Sequence, residues 1–320
     1  MPEISVIMAT YNNEKYITEA IESILKQTFE DWELIVVDDA STDRTQDKIL
    51  AFQDDRIIYV RNEENKGASF SANRGIKMAG GRYIARMDGD DISMPERLEK
   101  QYEYMEAHSD IGICGSDMRI FGRERGRVSC PQTYEQIKAR LIFCSPLPHS
   151  SWFARKEVLL QCGLYNERYR ISLDYEFLYR LSKHCKMAGI NEPYIAYRTY
   201  KQSLTGNIKG IDDNMLRIQT RILRELHIAM TESYKKVLNY GKYKCNIIDC
   251  CKFYLLGKRI CLLNKKYKCF GQEEIVNEIT FRFWDMLKRI YSNDWVKQHW
   301  EAAKVMVENK VVINKDTGGV

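Results

Sequence analysis

Four strand-like, mostly apolar runs, each followed by a stretch of helical periodicity or a short loop leading to one, set the tightest limit on what this chain can fold into. They are Ile4 to Thr10, Leu34 to Val37, Ile57 to Val60 and Arg82 to Met87. Runs that do not alternate apolar with polar residues belong to strands covered on both faces, as in parallel sheets. After the first, Ile17, Ala20, Ile21, Ile24 and Leu25 fall on one face of a helix. After the second, Ser41, Thr42 and Asp43 are good caps for a helix running to about Phe52. The third leads through a loop from Asn62 to Gly67 into a helix closed by Gly80-Gly81. Beyond the fourth, Pro95 stands near a helix start, and Leu98, Tyr102 and Met105 follow at helical spacing. Strand and helix in alternation predict an α/β fold with a mostly parallel sheet covered by helices. In such sheets ligands bind beyond the carboxyl ends of the strands, so that is where the chemistry belongs.

Three polar groups stand at those ends: Thr10-Tyr11-Asn12, Asp38-Asp39 and Asp88-Gly89-Asp90-Asp91. The last puts three carboxylates into four residues, a crowding that is costly near a buried strand end unless a cation or donors offset it. In an extended chain Asp88 and Asp90 point the same way, and Gly89 lets the backbone turn between them. Such an oxygen-only pincer suits Mg2+ or Mn2+, ions that keep positions open for substrate phosphates. A solvated acidic turn is the plain alternative, and two further polar groups on the same sheet edge weigh against it. No glycine lies between Thr10 and Glu14, and no Gly-x-x-x-x-Gly-Lys-Ser/Thr occurs, which disfavours hydride transfer and P-loop phosphoryl transfer. What remains is a nucleotide-diphosphate site in which a metal handles the phosphates.

These residues carry a resemblance. Ser5-Val6-Ile7-Met8-Ala9-Thr10-Tyr11-Asn12, Gln27-Thr28-Phe29, Val36-Val37-Asp38-Asp39-Ala40-Ser41-Thr42-Asp43 and Arg86-Met87-Asp88-Gly89-Asp90-Asp91 together resemble the family 2 glycosyltransferases of GT-A fold. Ser172-Leu173-Asp174-Tyr175-Glu176 resembles that family's distal acidic motif, so the likeness spans roughly residues 3 to 200. The nearest flavour is the bacterial enzymes of surface polysaccharide and lipid-linked oligosaccharide synthesis. The resemblance implies inverting transfer of a hexose from a nucleotide diphosphate sugar, commonly a UDP-sugar, to a hydroxyl of a glycan or lipid-linked acceptor. Thr10 and Tyr11 would meet the base, and Asp39 would accept the imide N–H of uracil. Asp88 would lie between ribose and metal, and Asp90 would bind the Mn2+ or Mg2+ that offsets charge on the departing diphosphate. Asp174 would be the general base for the acceptor hydroxyl.

Several of these residues have a second reading. Asp174 before Tyr175-Glu176-Phe177 also looks like a helix N-cap, and Asp91 suits binding of donor or acceptor or, equally, a cap for the helix near Pro95. Arg74 suits the diphosphate or a solvated helix surface, and His149, in a proline-rigid loop, suits the acceptor side or a structural hydrogen bond. Asp38 reads as a turn residue bonded to backbone. Leu173 stands where many relatives have Glu, and Glu176 would face away from Asp174 on a helix. The rival to an enzyme is a sugar-nucleotide or membrane-surface binding protein that keeps the fold.

At 320 residues the chain exceeds one hydrophobic core, which predicts a large domain with an appended unit. The expected division is a catalytic domain at 1–205 and a basic helical extension at 206–320. Residues 201–320 hold 22 Lys/Arg against 13 Asp/Glu, a net +9 that leaves −4 for the rest of the +5 chain. From Lys235 to Lys268 there are ten Lys/Arg and a single acid, Asp249. A solvated helical face and attraction to anionic lipid or a lipid-pyrophosphate acceptor are the two readings of that segment. Nucleic acid ranks low, since no recognised motif accompanies the charge. The chain opens without a basic and apolar leader and has no run of eighteen uncharged apolar residues. Ten cysteines show no zinc-ligand spacing. A cytoplasmic location with reduced thiols, peripheral at most to the membrane, is the expectation.

Overall fold

The computed structural model describes residues 1–201, 213–243 and 245–290, which form two compact units. The expected boundary at 205/206 lies outside the described residues. The first unit holds residues up to Ile137 and those from Ser145 to Lys201. It begins β1 (Ile4–Thr10), α1 (Ile17–Leu25), β2 (Trp32–Asp38), α2 (Thr45–Leu50), β3 (Ile57–Arg61), α3 (Ala68–Met78) and β4 (Tyr83–Asp88). It continues β5 (Ile92–Ser93), α4 (Arg97–Ala107), β6 (Ile111–Gly122), β7 (Gly126–Val128) and the first turn of α5 (Tyr134–Leu141), whose residues from Lys138 on belong to the second unit. After the loop come β8 (Phe153–Arg155), α6 (Lys156–Gln161), α7 (Leu173–Leu181) and β9 (Lys186–Thr199).

One sheet runs through this unit in the order β3-β2-β1-β4-β8-β6-β9-β5, with β7 on β6. The four apolar runs are its parallel half, each strand reached through a helix. The other half is mixed: β8 is antiparallel to β4 and β6, β9 is parallel to β6, and β5 is antiparallel to β9. All seven residues of β1 are buried, as continuous apolar patterning requires. Ile17, Ile21 and Ile24 of α1 pack on the core face formed by Ile4, Val6, Leu34 and Val36.

The strand β4 is drawn tight against β1. A side chain at Gly81 would place its Cβ 2.6 Å from the Ser5 backbone nitrogen, and the Gly81 N–H donates to Ser5 Oγ at 2.8 Å. Only glycine allows the two backbones that close.

The second unit contains Lys138–Cys144 and four helices: α8 (Asp213–Glu225), α9 (Glu232–Leu238), α10 (Ile247–Tyr267) and α11 (Gln272–Ile290). Its buried apolar residues include Ile218, Ile222, Phe253, Ile260 and Ile275. The Asn246 side chain and the Asp249 carboxylate close a capping box at the start of α10. All ten cysteines are free. Among the described residues no helix is long and apolar enough to cross a membrane.

Gly81→Ala is expected to cost about 1–3 kcal/mol, the usual penalty of overpacking. The check is the midpoint of urea or thermal unfolding; an unchanged midpoint would show that β4 tolerates a wider gap.

Candidate active site

The register of the parallel strands gathers the polar strand ends. Thr10 stands opposite Asp38 across β1 and β2, and Ala9 stands opposite Asp88 across β1 and β4. Tyr11, just past β1, is 45% exposed, a free aromatic surface at the sheet edge. Neighbouring Asp38 and Asp39 point different ways, and their partners differ accordingly. Asp38 is fully buried and accepts from Ser41 N (2.8 Å) and the Tyr59 hydroxyl (2.9 Å), the turn role expected of it. Asp39 accepts from Asn62 Nδ2 (2.7 Å), Lys66 N (3.0 Å) and Gly67 N (2.7 Å). A carboxylate offers about four acceptor positions, so one remains for a ligand donor.

Arg74 does not stand free on its helix. Its Nη1 donates to Arg61 O (2.8 Å) and Asn62 Oδ1 (2.7 Å), so it braces the same Asn62 that holds Asp39.

The acidic turn has a cation and donors on every side. Arg86, two residues before Asp88 and on the same strand face, reaches Asp88 Oδ1 at 2.5 Å. The Ser150 hydroxyl lies 2.6 Å from both Asp88 Oδ2 and Asp91 Oδ2. Burial and the charges of Asp88 and Asp90 push the Asp91 carboxyl well above the ordinary range. Burial also acts on Asp88, but Arg86, His149 and Ser150 together hold it below that range. Asp91 is fully buried and accepts the Arg198 backbone N–H at 3.0 Å, whereas the following helix α4 has Glu96 at its N-cap. It is therefore not a helix cap.

Asp90 accepts the Tyr200 hydroxyl on Oδ2 at 2.7 Å, and burial and the Asp88 charge raise its carboxyl. Arg198 Nε donates to the Asp90 carbonyl at 2.9 Å. The backbone turns at Gly89 and Asp90 as expected, and it does so without Gly89 entering the left-handed region. Its role is smallness: an added Cβ would lie 2.7 Å from Thr10 Oγ1 and 3.1 Å from Asn13 Nδ2.

His149 Nε2 lies 2.8 Å from the Tyr165 hydroxyl, and its ring stands edge-on to Trp152 at 4.7 Å. Burial, then the Arg86 charge, pushes the His149 imidazole down to about 3, so it is neutral at working pH. Asp174 is the second residue of α7, after the N-cap Ser172, so it is not the cap. Burial raises its carboxyl, with the Ser145 hydroxyl and the Tyr175 N–H beside it opposing. Asp88 lies within electrostatic reach of it, and the buried Tyr165 hydroxyl feels Arg86, Asp174 and Asp88 together. Glu176 pairs with Arg180 at 2.9 Å.

Sequence reading missed Arg86, Ser150, Tyr165, Arg198 and Tyr200. Arg86 had a signal, the i, i+2 alternation that puts it beside Asp88 on a strand. Tyr200 and Arg198 had none, because they arrive through the β5–β9 pairing of Ile92 with Ala196. Among the described residues no group of three or more His, Cys, Asp or Glu is arranged to hold a metal ion. Carboxylates at Asp88 and Asp90 nonetheless fit a hard divalent cation whose other ligands come from a substrate's phosphates.

Residues 5–161 match the model of glycosyl transferase family 2. The chain is 37% identical over 255 residues to an uncharacterized glycosyltransferase of Methanocaldococcus jannaschii, covering 77% of this chain and 82% of that protein. It is 47% identical over 138 residues to WfgD of Escherichia coli, a UDP-Glc:alpha-D-GlcNAc-diphosphoundecaprenol beta-1,3-glucosyltransferase, covering 42% of this chain and 54% of WfgD. Among solved structures, Staphylococcus aureus TarS 1-349 in complex with UDP-GlcNAc superposes with a TM-score of 0.59 at 20% identity. That likeness covers 97% of this chain and 89% of TarS 1-349, and it bears on the fold. The architecture is that of a GT-A glycosyltransferase, with a helical region following it. The chain belongs to glycosyl transferase family 2, and it is an enzyme of that class.

Because its pKa is held near 3, His149 is expected to show no titration between pH 5 and 8. An unfolded histidine takes up its proton at about 6.5, so this burial stabilises the fold above that pH and the benefit fades as pH falls toward 3. The imidazole C–H shifts in NMR read this directly, and a midpoint near 6.5 would mean the ring is solvated.

Proposed function

We propose that this enzyme transfers a hexose from a UDP-sugar to a hydroxyl of a lipid-linked or polysaccharide acceptor, by one displacement that inverts the anomeric centre. The observation that carries the reading is the meeting of Asp88 and Asp90 at the sheet edge with Asp174 within electrostatic reach on α7. Thr10 and Tyr11 take the base, and Asp39 has one acceptor position left for the uracil imide. Arg74 supports that contact through Asn62. Asp90, with Asp88 beside it, holds Mn2+ or Mg2+, which when bound neutralises charge on the leaving diphosphate. Arg86 and Ser150 fix the Asp88 carboxylate before any ligand arrives, the preorganisation that electrostatic catalysis needs. Asp174 takes the acceptor proton; its raised pKa brings a carboxylate closer to the range of an effective base. His149 and Tyr165 line the acceptor side, with the neutral imidazole orienting the phenol. WfgD's lipid-diphosphate acceptor and TarS's bound UDP-GlcNAc support the substrate classes. In this reading residues 1–205 carry the chemistry.

Asp174→Asn is expected to abolish transfer while UDP affinity stays within about twofold, a difference too small to signal lost binding contacts. In the parent enzyme, activity should fall on the acid side at a pH above the ordinary aspartate value of about 3.9, as Asp174 takes up its proton. Joint loss of binding and transfer would make Asp174 structural.

Asp90→Ala is expected to remove the Mn2+ dependence of UDP binding in calorimetry. Metal-dependent affinity that persists would place the ion elsewhere.

A further inference from the structure

Helix α10 keeps one face on the core of its own unit and leaves the other exposed. Phe253, Leu256 and Ile260 are buried, and Gly257 sits so near Ile279 that an added Cβ would come within 2.6 Å of its Cγ2. That close seat fixes the rotation of the helix. On the opposite face Ile248, Leu255 and Leu262 are 59%, 63% and 66% exposed. Lys252, Arg259 and Lys266 are exposed beside them. Both sets repeat every seven residues, close to two helical turns. They therefore form two adjacent rows, one aliphatic and one cationic, each about 21 Å long. The single acid of α10, Asp249, is buried, accepts from Lys236 Nζ at 2.7 Å and caps the helix, so it offsets none of the row.

We propose that this face of α10 is a docking surface for an anionic lipid bilayer. The helix lies along the surface, its aliphatic row in the boundary between head groups and acyl chains and its cations on the lipid phosphates. Charge and chemistry select this occupant. A second copy meeting the same face would set cations against cations. A nucleic acid would reward the cations and aromatic faces, yet these three exposed side chains are aliphatic. The proposal extends the reading of a lipid-linked acceptor, and it stands on a surface that reading does not use.

The test is sedimentation of the full chain with phosphatidylcholine vesicles, with and without phosphatidylglycerol. Binding is expected only with phosphatidylglycerol, and it should weaken as salt is raised. Lys252→Gln/Arg259→Gln/Lys266→Gln should reduce it by about a hundredfold, the combined effect of three surface cations. Leu255→Ser/Leu262→Ser should reduce it as well, whereas Lys252→Arg/Lys266→Arg, which keeps the charge, should retain it. No binding at low salt, or binding that both weakening variants leave unchanged, would overturn the proposal. So would a dimer in light scattering that Leu255→Ser/Leu262→Ser dissolves while vesicle binding persists. Turnover of a UDP-sugar with a soluble acceptor is measured on the same variants: lost vesicle binding with intact turnover confirms the surface and leaves the donor reading untouched, and absent turnover in the parent sinks the donor reading alone.

Discussion

The parallel register of β1 with its two neighbours is the constraint on which the site depends. It sets Thr10 level with Asp38 on one side and Ala9 level with Asp88 on the other. The strand β4 is held to that register at both ends by glycines with no room for a side chain, Gly81 against Ser5 and Gly89 against Thr10. A shift of one residue would turn every β4 side chain to the other face and carry Asp88 away from Ser150.

Given that register, the second problem is charge. Three carboxyls within four residues repel one another, and the fold answers with partners from distant segments. Arg86 comes from β4 itself, Ser150 from the loop before β8, and Arg198 and Tyr200 from the end of β9. Beneath them the fully buried Arg97 donates to the Arg86 and Trp152 carbonyls, and burial pushes its guanidinium down to about 9. The acidic turn is thus held by partners from three segments of the chain.

Much of this was legible in the sequence. Continuous apolar runs located the four parallel strands because strands buried on both faces have no polar side to interrupt the pattern. The same patterning located the acidic turn at a strand end. It could not show the mixed half of the sheet, where β8 has only three residues and pairs antiparallel on both sides. Asp91 and Asp174 both read as possible caps because capping and ligand binding draw on the same residue type, and only the observed N-caps, Glu96 and Ser172, exclude the capping role. The turn at Gly89 was legible, but not its reason, since glycine's lack of a side chain and its backbone freedom look alike in one dimension.

Local chemistry is what the sequence determined by itself: strand and helix periods, carboxylates at strand ends, the uneven charge and the seven-residue spacing in α10. These depend on neighbours a few residues away, which the chain order records. Tertiary structure alone decided which residues share the site and which stand exposed. Tyr200 meets Asp90 across 110 residues and Ser150 meets Asp88 across 62, because sheet pairing rather than proximity in the chain sets those distances. Likewise, the aliphatic row of α10 faces outward because Gly257 must face Ile279, a packing demand that no local pattern contains.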